Sequence, residues 1–264
     1  MTDQPQYGFW PFVLPFMAFM LISMLEVKFP SENQDGIFAD VVEQASDNVT
    51  LSDGEQYVLD ERRSKTNQFF WVYSLKVVIT TGLLIWFWRV YLRDFPLTAS
   101  WLAVPVGVLG VVVWILFCDL GLEHRVIGWF IRDELAIRSQ FNPFSQLPQG
   151  WPLYFFLAIR FFGLAVMVPI CEELLLRGFL MRYFEDPEWW TVSLSRLSFR
   201  TLLVAPAYGV LTHPTEALAA IAWFSLVTWL VQHTGNFWDA VVAHAVTNFL
   251  LGLYVCYYAQ WHLW

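Results

Sequence analysis

Apolar residues fall along this chain in long, nearly uninterrupted runs separated by polar or charged stretches. A helix needs about 20 mostly apolar residues to cross a bilayer, and the first such run covers residues 8–25, broken only by Pro11 and Pro15. Residues 26–68 follow as a polar, acidic stretch with little periodicity, which predicts a partly disordered loop. Further spans are expected at about 69–89, with Lys76 inside, and at 99–118. Between Glu123 and Arg138, apolar Val126, Ile127, Trp129, Phe130, Ile131, Leu135 and Ile137 alternate with charges. That pattern suits an amphipathic helix lying in the membrane interface. A long helix then runs from about 151 to 184 and crosses Arg160, followed by a polar loop over 185–199. Three apolar runs close the chain, at about 200–213, 215–233 and 237–258. The expectation is an all-α, polytopic transmembrane bundle of about seven to eight helices with no internal repeat.

Composition sharpens this. Of 264 residues, 57% are hydrophobic and 14% charged, with 15 Trp and 24 Phe, against about a quarter charged in soluble domains. The net charge of −8 is concentrated, since residues 26–61 hold Glu26, Glu32, Asp35, Asp40, Glu43, Asp47, Asp53, Glu55, Asp60 and Glu61. No basic stripe is present to neutralise phosphates, which excludes a nucleic-acid partner. Cys118, Cys171 and Cys256 lie in or beside apolar runs without CxxC spacing, so neither a disulfide framework nor a structural zinc site is expected. No Lys or Arg precedes the first apolar run, which argues against a cleaved signal peptide.

Ionisable groups at membrane depth cost roughly 2.5–3.5 kcal/mol each on insertion scales, which makes each one a functional candidate. Glu172 and Glu173 follow an apolar run, with Arg177 four residues beyond Glu173. That spacing pairs Glu173 with Arg177 on one face, while Glu172 is turned about 100° away and stays available as a base. A desolvated carboxylate suits general-base work near neutral pH. The bland alternative places both acids among the headgroups, paired with Arg177 and Arg182. His213 ends an apolar run just before Pro214, a position that also suits a simple helix–helix turn. His244 and Asn248 lie one turn apart on one face of the last span, among Val241, Val242, Phe249 and Leu250. A buried His and Asn need hydrogen-bonding partners, and Glu172 and His213 are candidates for both. The alternative is polar glue between helices.

Taken in order, Glu172-Glu173-x-x-x-Arg177, then His213, then His244-x-x-x-Asn248 resembles the CAAX-protease and bacteriocin-processing family, whose pattern is Glu-Glu-x-x-x-Arg, Phe-x-x-x-His and His-x-x-x-Asn/Asp on successive transmembrane helices. The second motif matches only in its histidine, because Gly209 occupies the aromatic slot and Tyr208 lies one residue earlier. The turn His233-Thr234-Gly235-Asn236-Phe237-Trp238 also looks like the family's entry into its last motif helix. The resemblance covers about 150–256 and implies a division into N-terminal membrane helices over 1–149 and a catalytic core over 150–264. It implies an intramembrane endopeptidase in which Glu172 and His213 activate a water, His244 and Asn248 donate to the oxyanion, and Glu173 and Arg177 play a supporting role. The implied substrate is a membrane-anchored protein or lipidated peptide. The expected setting is the lipid bilayer, as a multi-pass protein of a bacterial inner membrane.

No cofactor is required by this scheme. Glu172, His213 and His244 are also an alternative zinc ligand set, although their spacing differs from His-Glu-x-x-His. Cys171, beside a carboxylate on an apolar helix, is not expected to ionise to a nucleophile. Two rival functions use the same residues: a non-catalytic membrane scaffold or self-immunity protein, and a proton-coupled transporter. The second lacks the inverted repeat such proteins carry.

Overall fold

The computed structural model describes residues 8–29, 52–121 and 141–263. Among these, every regular element is helical. Seven helices exceed nine residues: α1 (Trp10–Ser23), α2 (Asp53–Asp94), α3 (Ala103–Asp119), α4 (Trp151–Glu185), α5 (Phe199–Thr212), α6 (Ala217–Thr234) and α7 (Phe237–Tyr258). A single turn at Pro143–Gln146 makes an eighth. The stretches of α2, α4, α6 and α7 are long and apolar enough to cross a membrane. Trp86, Trp101, Leu211 and Tyr257 are each more than 80% exposed. On a water-soluble protein, so many uncovered large apolar side chains would drive association; here they meet lipid.

The expected loop at 26–68 needs correction at its C-terminal end, since α2 already begins at Asp53. Charged residues hide a helix from an apolarity-based reading, yet they are good helix formers, and Glu61 and Lys65 pair at 2.7 Å one turn apart. The proposed interfacial helix near 123–138 lies outside the described residues.

α2 buries Phe69, Tyr73, Lys76, Thr80 and Leu84, a three-and-four spacing that turns one face inward. Pro15 interrupts α1 and has no N–H to offer the carbonyl of Pro11. The Tyr91 hydroxyl supplies that bond instead, at 2.6 Å, and ties α1 to α2. α4 is the central helix and touches α1, α2, α5 and α7. α3 and α7 approach so closely that a Cβ at Gly107 would stand 2.6 Å from the Ala243 carbonyl oxygen, and one at Gly110 2.8 Å from Thr247 Oγ1. Thr247 Oγ1 in turn donates to the Gly107 carbonyl at 2.8 Å. At the head of this seam, Asp239 accepts from both the backbone and the hydroxyl of Ser100, at 2.6 and 2.7 Å.

α6 ends at Gly235 in the left-handed conformation, φ 66°, which glycine adopts without steric cost. Asn236 then caps α7 by accepting from Trp238 N at 3.0 Å. This two-residue connection sets α6 and α7 antiparallel and fixes which face of α7 looks inward.

Candidate active site

The chemistry of the site begins with a fault in α4. Residues Gly163–Met167 and Leu174–Leu180 adopt π-helical hydrogen bonding on either side of Val168–Glu173. In the first fault Val168 N–H donates to the carbonyl of Gly163, not to that of Leu164 as an α-helix requires. The freed Leu164 carbonyl is taken by Asn248 Nδ2, at 3.0 Å. Such bulges rotate the following side chains relative to the preceding turn, and here they flank the two glutamates.

Glu173 is wholly buried, and its Oε2 accepts from Arg177 Nη1. Arg177 also reaches the Phe224 carbonyl and Thr228 Oγ1 on α6, at 3.3 and 3.2 Å. Glu173 Oε1 lies 3.0 Å from His244 Nδ1. A carboxylate bound to a guanidinium can only accept, so Nδ1 carries the proton and Nε2 turns toward Glu172. The ring of Trp223, at 4.6 Å and 65°, backs the imidazole. Trp223 is itself pinned by Nε1 donating to Thr247 at 3.1 Å.

Glu172 is 5% exposed. Its Oε1 accepts from the Tyr208 hydroxyl at 3.0 Å, and its Oε2 stands 3.6 Å from His244 Nε2. His213 occupies the break between α5 and Pro214, with Thr212 Oγ1 2.9 Å from its Nδ1. The rings of Trp114 and Phe224 flank it at 5.3 and 6.0 Å.

One cavity of about 260 Å³ joins these groups, and Glu172, His213, His244 and Asn248 all stand in its wall. The motif residues, 76 positions apart from first to last, therefore share one chamber. Glu173 and Arg177 lie behind the wall and hold His244 in place.

Spacing alone did not give four participants. Tyr208, one residue ahead of the expected aromatic slot, bonds Glu172. Phe224 fills the space left by Gly209, where a Cβ would stand 2.5 Å from its ring. The aromatic missing from the motif on α5 is thus supplied from α6. Lys76 and Arg160 also line the chamber; both were visible as charges within apolar runs, but nothing in the spacing linked them to the motifs. The expectation that Glu172 and His213 would partner His244 and Asn248 holds for Glu172, which lies 3.6 Å from His244 Nε2, but two further partners join. Glu173 takes His244 Nδ1 and a backbone carbonyl takes Asn248, because the π-turn offers an acceptor that no sequence pattern announces. For the zinc alternative, among the described residues no three His, Cys, Asp or Glu side chains are grouped to hold an ion.

These features define a polytopic integral membrane protein with a largely apolar chamber between its helices, into which a few ionisable side chains project. Residues 154–250 match a family model described as Rce1-like, type II CAAX prenyl endopeptidase Rce1-like. That match takes in Glu172, Glu173, Arg177, His213, His244 and Asn248, and it supports the resemblance to the CAAX-protease and bacteriocin-processing family that these motifs carry. No curated protein and no solved structure matches the chain.

Proposed function

We propose that the protein is a glutamate-type intramembrane endopeptidase that hydrolyses a peptide bond of a membrane-anchored protein or lipidated peptide. The observation that carries this reading is the convergence of Glu172, His213, His244 and Asn248 on one buried cavity. Tyr208 occupies Oε1 of Glu172, which leaves Oε2 as the basic atom. A water held between Oε2 and His213 loses a proton to Glu172 as its oxygen attacks the scissile carbonyl. The carbonyl oxygen gains charge and receives hydrogen bonds from the Asn248 amide proton that Leu164 does not use and from Nε2–H of His244 in its imidazolium form, whose Nδ1–H stays on Glu173. Collapse of the tetrahedral species breaks the C–N bond, and the proton taken by Glu172 passes to the leaving amine. Removing one oxyanion donor typically costs 10²–10³ in rate, and a general base contributes about 10²–10⁴.

The supporting role proposed for Glu173 and Arg177 is positional. Glu173 keeps the proton of His244 on Nδ1 and the ring upright against Trp223, so Nε2 faces the chamber.

The test uses protein purified in neutral detergent and a panel of membrane-anchored peptides. Glu172→Gln and His244→Ala should each reduce cleavage by at least about a hundredfold while melting within a few degrees of wild type. Full cleavage by Glu172→Gln would end the proposal, and unchanged cleavage with lowered melting temperatures would favour the scaffold role. Strong chelation should leave the rate intact; its loss, with recovery on adding zinc, would move the mechanism to the metal-assisted alternative.

A further inference from the structure

The two imidazoles in the chamber wall meet different partners at the same ring nitrogen. His244 Nδ1 lies 3.0 Å from the carboxylate of Glu173, whereas His213 Nδ1 lies 2.9 Å from the neutral hydroxyl of Thr212. What a histidine offers at Nε2 follows from the bond made at Nδ1. A carboxylate favours the doubly protonated ring, so His244 can present a donor. A hydroxyl can either donate or accept. The outcome at His213 therefore depends on where the hydroxyl hydrogen of Thr212 goes.

α5 ends at Thr212, and the last turn of a helix leaves carbonyls in need of donors. The Thr212 hydroxyl turns back on its own helix and donates to the carbonyl of Tyr208 at 3.0 Å, with that of Gly209 at 3.3 Å also in reach. Its single hydrogen is thereby committed, while its oxygen can still accept. With the proton of His213 on Nδ1, the hydroxyl accepts from the ring and donates to the helix at once. With that proton on Nε2, Thr212 must turn its hydrogen either to the helix or to the ring, and one hydrogen bond is lost. Trp114 and Phe224, with ring centres 5.3 and 6.0 Å away, brace the imidazole so that its nitrogens keep these places.

We infer that Thr212 is a positioning residue that holds His213 in its neutral, Nδ1-protonated form, so that Nε2 serves the chamber as a hydrogen-bond acceptor. The consequence for catalysis rests on the peptidase reading, but the protonation pattern can be measured separately. A water between Glu172 Oε2 and His213 Nε2 then points one hydrogen at each, and a lone pair of its oxygen is left for the scissile carbon. The hydrogen on the Glu172 side is the one transferred, and the hydrogen on the His213 side stays on the attacking oxygen. Atoms and charge balance without another proton carrier. The opposite form, protonated on Nε2, would donate to the water oxygen and weaken the lone pairs that must attack. One threonine hydroxyl and one carboxylate thus give two imidazoles of a single chamber opposite tasks, His213 accepting and His244 donating.

Side-chain nitrogen NMR spectra of histidine-labelled protein in detergent micelles show directly which ring nitrogen is protonated. The His213 signals are those missing from His213→Gln, and spectra are taken at an alkaline plateau where the ring is neutral. Wild type should show a protonated Nδ1 and a bare Nε2. Thr212→Val, which keeps the branched shape without the hydroxyl, should shift the balance toward protonated Nε2, and Thr212→Ser should keep the wild-type pattern. With a membrane-anchored peptide, kcat of Thr212→Val should fall about tenfold, the effect of one hydrogen bond, with KM changed by less than about twofold. Thr212→Ser should retain most of the wild-type rate, and melting curves check that each variant folds. Wild-type protein protonated at Nε2 overturns the inference, a result that stands even if Thr212→Val does not fold. A Thr212→Val spectrum identical to that of wild type overturns it as well, and so does an equal fall of kcat in Thr212→Val and Thr212→Ser. If no form cleaves any peptide while the Thr212 hydroxyl still governs the protonation of His213, the positioning stands and the peptidase reading falls.

Discussion

Tyr208 and Asn248 show how a single side chain serves structure and chemistry together. The Tyr208 hydroxyl directs one oxygen of Glu172 away from the reacting position. Tyr208→Phe keeps the ring against Phe16 and Phe224 but releases that oxygen, so kcat should fall about tenfold with KM nearly unchanged, the cost of one hydrogen bond to a charged group. Steady-state cleavage of a fluorogenic membrane peptide measures both. Asn248 satisfies the Leu164 carbonyl that the π-turn releases. Asn248→Leu should lower stability by about 1–3 kcal/mol, the penalty for an unmade buried hydrogen bond. Asn248→Asp can donate only in its protonated form, so its melting temperature should drop as pH rises through the titration of that carboxyl group. A melting profile as flat as that of wild type would contradict the assignment of the donor.

The helices themselves were readable wherever apolar length dominates. α4, α6 and α7 fall within a few residues of their expected bounds, because a bilayer tolerates few other patterns. The pairing of Glu173 with Arg177 was likewise readable, since four-residue spacing is a property of the helix alone. Three things were not legible. The start of α2 is polar on all sides and looks like a loop. The π-turns of α4 depend on which carbonyls find partners from other helices. The contact between Gly209 and Phe224 joins residues 15 apart on two elements, so the lost motif aromatic and its replacement cannot be matched by reading α5 alone. That substitution between helices can be tested as a unit. Gly209→Ala should destabilise the fold by about 1–3 kcal/mol through overpacking, and Phe224→Leu should restore part of the loss. A double-mutant cycle of melting free energies should show coupling beyond 0.5 kcal/mol, and simple additivity would show that the two helices pack independently at this point.

Across the whole molecule, α3 and α7 are held backbone to backbone by the Gly107 and Gly110 approach, the Thr247 bond and the Asp239 clamp. A side of the bundle with no room for a methyl group has no room for a guest. On the proposed function, a chain arriving from the lipid would come by the wall of α1, where Met20 is 40% exposed and also borders the chamber. Met20→Cys should accordingly react with a lipid-soluble maleimide in the empty protein and be protected when a peptide is bound to the Glu172→Gln form. A cysteine in place of Val108, 42% exposed on α3, should react equally in both states. On that reading, a seam closed backbone to backbone acts as a one-way street sign, directing cargo to the flank of α1.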